Sequence, residues 1–216
     1  IIQVMAALAT GGAVVCSQFV GKGKEEGAKK SGAQLETVLL VFSVCMTLLS
    51  LIGTRGLLHA VFGNVSEDVM DSAVLYFTVT SLSFPFLGIY NAGAAIFRSI
   101  GNSKISMQIS LLMNVINIVG NAIFVFGFHW AVFGVALATL LSRIVAGIVI
   151  TLLVCGKTNP IRIDKWSELK PDGSIIKKIL AIGIPSGVEN GMFQIGKLAV
   201  TSICLLYTSD AADEGL

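Results

Sequence analysis

The sequence predicts an all-α membrane protein, a polytopic helical bundle of about six transmembrane helices, on three observations. The first is composition: of 216 residues, 54% are hydrophobic and only 13% charged, about half the roughly 25% charge share of a soluble domain. The second is length, because the apolar residues come in runs of about 20, enough for a helix to cross the hydrocarbon core. The third is charge placement. Twelve of the fifteen Lys and Arg residues fall in three connections that alternate along the chain. A net charge of +2 gives no reason to expect a nucleic-acid partner.

In chain order, the first predicted span is Ile1 to Val20 and the second Leu35 to Gly53. The segment Gly56 to Met70 is too short to cross. With Leu57, Leu58, Val61 and Phe62 it reads as a short amphipathic helix on the outer surface. Ala73 to Phe97 is the third span, Ile105 to Phe128 the fourth and Ala131 to Val154 the fifth. A hydrophilic stretch with Pro160 and Pro171 then leads to a sixth, Ile179 to about Ile203. The chain starts at Ile1, without Met and already inside an apolar run, and is read as a fragment with no recognisable signal peptide.

Lys22, Lys24, Lys29 and Lys30 follow the first span, Arg98 and Lys104 the third, and Lys157, Arg162, Lys165, Lys170, Lys177 and Lys178 the fifth. Alternating helices bring these connections to one side. The positive-inside rule makes loops 21–34, 98–104 and 156–178 cytoplasmic in a plasma (inner) membrane protein. Cys16, Cys45, Cys155 and Cys204 lie far apart inside apolar runs and read as small hydrophobes, not as metal ligands or disulfide partners.

Polar side chains inside spans are costly, so they face the bundle interior or a wet cavity. Ser110, Asn114, Asn117 and Asn121 recur every three or four residues and share one face of the fourth span. Two readings stay open for this stripe: hydrogen-bonding between helices, or a solvated ion or transport site. Arg143, in the middle of the fifth span, needs an acidic or carbonyl partner; Thr139 lies one turn before it. Glu189 in the sixth span is either functional or the partner of Arg143, and Lys197 beyond it reads as snorkelling outward. Pro85, followed by Gly88, Asn91 and Gly93, and Pro185, flanked by Gly183 and Gly187, mark candidate hinges in broken helices. Neither histidine lies inside a span and there is no HExxH or GxSxG. An intramembrane enzyme is not expected, and no cofactor is implied.

Several motifs occur in order along residues 1–203. They are Ser17-Gln18 with Gly21-Lys22-Gly23, Arg98-Ser-Ile-Gly101-Asn102-Ser-Lys104, the Asn114/Asn117/Asn121 stripe ending in Phe126-Gly127, Gly134 to Thr139, and Gly183-Ile-Pro185-Ser-Gly-Val-Glu189. Together they resemble the multidrug and toxic compound extrusion (MATE) family of secondary transporters. The resemblance implies a twelve-helix protein of two six-helix lobes, monomeric when complete, that exports amphipathic and often cationic compounds by antiport with Na⁺ or H⁺. Residues 1–155 then supply most of the first lobe, 156–178 the cytoplasmic interlobe linker, and 179–203 the first helix of the second lobe. The tail 204–216 resembles translated adaptor sequence and is expected to be non-native.

The resemblance also implies that Asn117, Asn121 and Thr139 belong to a cation site completed by an acid on a helix this chain lacks. Asn91, Asn114, Arg143 and Glu189 become cavity or substrate candidates. Asn121 stands where many relatives have Asp, which weakens a two-carboxylate proton relay while leaving a carbonyl oxygen able to bind a hard cation. Glu189 is one turn past Pro185, whereas the cation-site Glu of some members lies two turns past it, near Phe193 and Gln194 here. No such role passes to Glu189. The alternative within the wider superfamily is a lipid-linked oligosaccharide flippase that uses Arg143 against a phosphate.

Overall fold

A computed structural model describes the backbone of residues 1–62, 67–156, 161 and 171–214, and most of their side chains. Its elements are α1 (Ile2–Gly21), α2 (Glu25–Phe62), α3 (Glu67–Ser81), α4 (Phe84–Ser99), α5 (Ser103–Ala122), a π-helical turn (Ile123–Gly127), α6 (Ala131–Val154) and α7 (Gly173–Glu214). Among the described residues there is no strand, so the all-helical class holds. α1, α2, α5 with its π turn, and α6 are each long and apolar enough to cross a membrane. α3 and α4, bent by 42° at a short break, are together long and apolar enough to form a fifth span.

Two tight turns on the Lys-rich side follow from glycine. After α1, Gly23 has φ +65°; its N–H bonds Val20 O at 3.0 Å and the Lys24 N–H bonds Phe19 O at 3.1 Å. After α4, Gly101 has φ +80°, with its N–H on Arg98 O at 3.0 Å and the Asn102 N–H on Phe97 O at 2.9 Å. Both are Schellman caps, which need a left-handed residue just past the helix. The Gly-Lys-Gly and Ser-Ile-Gly-Asn motifs are therefore helix stops.

Several expectations are corrected. Residues 25–34 are not loop: α2 starts at Glu25, its first turn holding Glu25 and Glu26 against the positive end of the helix dipole. Nor is Gly56 to Met70 a separate surface helix. α2 runs on through Phe62 with Thr54 and Leu58 on its buried side, and Glu67–Met70 open α3. A lone Gly56 costs a helix only about 1 kcal/mol, too little to stop one already formed. At 38 residues, α2 is about 57 Å long and overshoots a ~30 Å core.

The third span is divided at Leu82 and Ser83. Pro85 then sits in the first turn of α4, where its missing N–H leaves no bond unmade. The second candidate hinge differs, since α7 passes through Pro185 as one helix. α7 also begins at Gly173, six residues before the predicted sixth span, so residues 173–178 are helical; residues 157–160 and 162–170 lie outside the described set. The helix continues to Glu214 through the suspected tail. Because Glu189, Asn190, Gln194 and Lys197 dilute its apolar run, α7 is not among the helices apolar enough to cross on composition alone.

Packing relies on small residues. α1 and α7 cross so closely that a Cβ on Gly11 would lie 2.7 Å from Gly183 N and 2.8 Å from Ile179 O. Ala92, Ala94, Ala95 and Ile96 of α4 are buried among α1, α2, α5 and α6, and Ile150 of α6 fills the space beside Gly93. α5 is peripheral, with only Ser106 and Ile109 buried.

The Lys-rich segments meet at one end of the bundle. Lys30 Nζ pairs with Asp172 at 2.7 Å, Lys178 Nζ lies 6.0 Å from the Phe19 ring, and Arg98 shares a groove with Ser17. Asp172 also caps α7, its Oδ1 accepting the Ser174 N–H at 3.0 Å, while its own N–H donates to the buried Gln34 Oε1 at 3.0 Å. The Lys30 hydrogen bond, aided by the Ser174 N–H, holds the Asp172 carboxyl below its usual range. At the opposite end, Arg55 and Asp71 make an exposed pair at 3.5 Å.

Candidate functional site

The stripe on α5 resolves into a hydrogen-bonded chain with α6. Asn121 Nδ2 donates to Asn117 Oδ1 at 3.1 Å, and Asn117 Nδ2 donates to Thr139 Oγ1 at 3.2 Å. Thr139 Oγ1 in turn donates to Val135 O at 3.0 Å. Asn117 and Asn121 are one turn apart on α5, and Gly120 between them lets α6 approach, with Ala138 Cβ 3.0 Å from where its Cβ would be. At the end of the chain, Asn121 Oδ1 is buried with no hydrogen-bond partner. An orphaned buried carbonyl oxygen is costly, and a hard cation is the kind of ligand that would complete it. The π-helical turn starts two residues after Asn121, and such turns are frequent at functional sites.

The other candidates fall elsewhere. Asn114 is exposed on the same stripe, and Ser110 is half-buried. Asn91 is turned onto its own helix, its Nδ2 donating to Leu87 O at 2.9 Å. Glu189 is exposed on α7 and makes no ion pair with Arg143; among the described residues the ion pairs are Lys30–Asp172 and Arg55–Asp71. Lys197 lies over the Phe193 ring, 4.9 Å from its centre. Arg143, expected to need an acid or a carbonyl, instead donates from Nη1 to Ser83 Oγ at 2.6 Å. Sequence reading missed Ser83, although a Ser two residues before a Pro is a recognisable helix-start signal.

Among the described residues no three His, Cys, Asp or Glu side chains come together as a metal cluster. The donors available on α5 and α6 are neutral oxygens. Cys16 is buried and accepts a hydrogen bond from Ser31 at 3.2 Å.

Long apolar helices and a bent helix pair make this a multi-pass integral membrane protein, with a part-buried amide chain between α5 and α6. Residues 1–123 match the MatE family, and the chain belongs to that family. It is 26% identical over 216 residues to the uncharacterized transporter YisQ of Bacillus subtilis, covering 98% of this chain and 47% of that one. Among solved structures, it is similar to a multidrug resistance MATE family transporter of the MOP superfamily in two conformations. The outward-facing form matches with a TM-score of 0.81 at 25% identity, over 93% of this chain and 45% of the other. The inward-facing form matches with a TM-score of 0.79 at 25% identity, over 86% and 42%. The chain spans about half the length of the curated relatives it matches.

Proposed function

We propose that this chain is most of one lobe of a secondary transporter that exports amphipathic, often cationic compounds in exchange for Na⁺ or H⁺, by alternating access between two lobes. Residues 1–155 form the lobe, the segment before α7 links the lobes on the cytoplasmic side, and α7 opens the second lobe. One observation carries the reading: the Asn121–Asn117–Thr139 chain bridges α5 and α6 and leaves Asn121 Oδ1 buried and unpartnered. A cation that enters there gains oxygen ligands from two helices at once, and its arrival draws them together. The donors of this half are neutral and suit Na⁺; proton coupling would run through an acid elsewhere in the complete protein. Ser83 already engages Arg143, so the flippase reading gains no support.

The test is dye export by cells that express the complete protein. Asn117→Ala or Thr139→Ala reduces ion-driven export of a fluorescent cationic dye while membrane abundance stays unchanged. Undiminished export by both variants removes these residues from the mechanism.

A further inference from the structure

An arginine inside a membrane bundle carries a cost of roughly 2.5–3.5 kcal/mol on insertion scales, and one whose only described hydrogen-bond partner is a serine hydroxyl calls for a reason. That serine, Ser83, stands in the break between α3 and α4. Its Oγ passes the interaction on, donating to Thr80 O, a carbonyl near the end of α3. From the other side, Thr47 Oγ1 of α2, which donates to Ser43 O of its own helix at 2.9 Å, lies 3.2 Å from Ser81 O. Two more hydroxyls at the same break, Thr80 Oγ1 and Ser81 Oγ, are buried without a partner. The break therefore holds spare hydrogen-bonding groups from which a second bonding pattern can be made.

α6 links this break to the amide chain. Thr139 accepts from Asn117, Arg143 one turn later grips Ser83, and Gly147 one turn later again brings the α6 backbone against α4. A Cβ on Gly147 would lie 3.2 Å from Phe86 O. Two turns of α6, about 12 Å long, thus touch the cation-site candidates, the break and the first turn of α4. Ser142 Oγ donates to Thr139 O at 2.9 Å, tying the start of this stretch to its middle.

We propose that Arg143 is a positioning residue that transmits occupancy of the Asn117–Asn121–Thr139 set to the bend between α3 and α4. The break is then the moving part of this half, and the proposal rests on the cation-site reading given above. A guanidinium suits the task because it stays charged and presents several donors in a fixed plane. The unpartnered hydroxyls of Thr80 and Ser81 at the same break supply groups for a second bonding pattern.

The experiment uses the complete protein in lipid nanodiscs, with its native cysteines replaced and spin labels at positions 69 on α3 and 98 on α4. Their separation is measured with and without Na⁺ and at two pH values, and cation binding is followed by calorimetry. The native protein shows a narrow distance distribution that shifts when the cation binds. In Arg143→Gln the cation-free distribution broadens, the shift disappears and half-saturation moves to about tenfold higher concentration; Arg143→Lys recovers part of each. Ser83→Ala removes the acceptor of Arg143, together with the Ser83 hydrogen bond to Thr80 O, while keeping the guanidinium, and gives the same pattern, which keeps the test valid if Arg143→Gln folds poorly. A native-like shift in both Arg143→Gln and Ser83→Ala overturns the proposal, as does cation binding to the native protein without any change of distance. If the native protein binds no cation, the cation-site reading fails by itself. The cation-free arm then decides, with native-like width in both variants counting against Arg143 as a positioning residue at the break and broadening in both supporting it.

Discussion

Gly11→Ala adds one methyl group at the crossing of α1 and α7. The new Cβ would meet Gly183 N at 2.7 Å, Ile179 O at 2.8 Å and Gly183 Cα at 2.9 Å. All three are backbone atoms, so no side chain can turn aside. Ordinary contact between carbons needs about 3.5 Å or more, so the helices must separate by roughly 0.8 Å at the crossing, a gap that forfeits a quarter to a half of each neighbouring contact. Overpacking of this kind costs about 1–3 kcal/mol. Gly187→Ala, one turn beyond Gly183 on the same helix, is the control: its Cβ would meet Ala7 Cβ at 3.6 Å, an ordinary contact, and its effect should stay within about 0.5 kcal/mol. Thermal unfolding of the complete protein in detergent, followed by tryptophan fluorescence, separates the two. Equal melting curves for Gly11→Ala and Gly187→Ala would refute the close α1–α7 crossing.

Gly101→Ala tests the Schellman cap alone. A Cβ there meets no other atom, so the loss of about 1–2 kcal/mol expected for a left-handed alanine should appear in the same unfolding curves without any packing contribution. Asp172→Asn removes a carboxylate whose folded pKa lies below its unfolded value, chiefly through the Lys30 hydrogen bond. That stabilisation is complete above the unfolded Asp value of about 3.9 and fades as pH falls through the lower folded value. The variant should melt earlier than native near pH 7, with the difference closing in strongly acidic buffer. Asn121→Asp places a titratable group on the amide chain, and dye export by the variant should become pH-dependent beyond the native dependence, measured as initial rates over a series of external pH values.

The sequence made the helices legible where lipid decides the pattern. Ala131 to Val154 is α6 to the residue, because a long, predominantly apolar run, bounded by Trp130 and Gly156, leaves little choice. Ends set by helix propensity were harder to read. Glu25 to Gln34 is polar enough to pass for a loop, yet its acidic first turn and alanines extend α2. Gly53 and Gly56 looked like a stop, but neither is a strong breaker. Pro85 and Pro185 carry the same sequence signal and had different outcomes. Pro85 opens a new helix after Leu82 and Ser83 break the chain, whereas α7 accommodates Pro185 in mid-helix.

At the candidate site, periodicity alone placed Asn117 and Asn121 on one face, and the resemblance added Thr139. Their mutual hydrogen bonds confirm that the three meet. The partner of Arg143 was not legible, because a charged residue invites a search for an acid and the group that answers it is a serine at a helix break, 60 residues away in sequence. Lys30 and Asp172 were equally hidden, since only the packing of α7 on α1 and α2 brings them together.

The central claim is that the amide chain between α5 and α6 takes part in cation-coupled export. Its most direct measurement is dye efflux from proteoliposomes holding the complete protein, driven separately by a Na⁺ gradient and by a pH gradient, for native protein and for the double variant Asn117→Ala/Thr139→Ala. The account predicts that one gradient drives efflux by the native protein and fails to drive it by the double variant, while passive leak is equal in both. Gradient-driven efflux by the double variant at the native rate would contradict it.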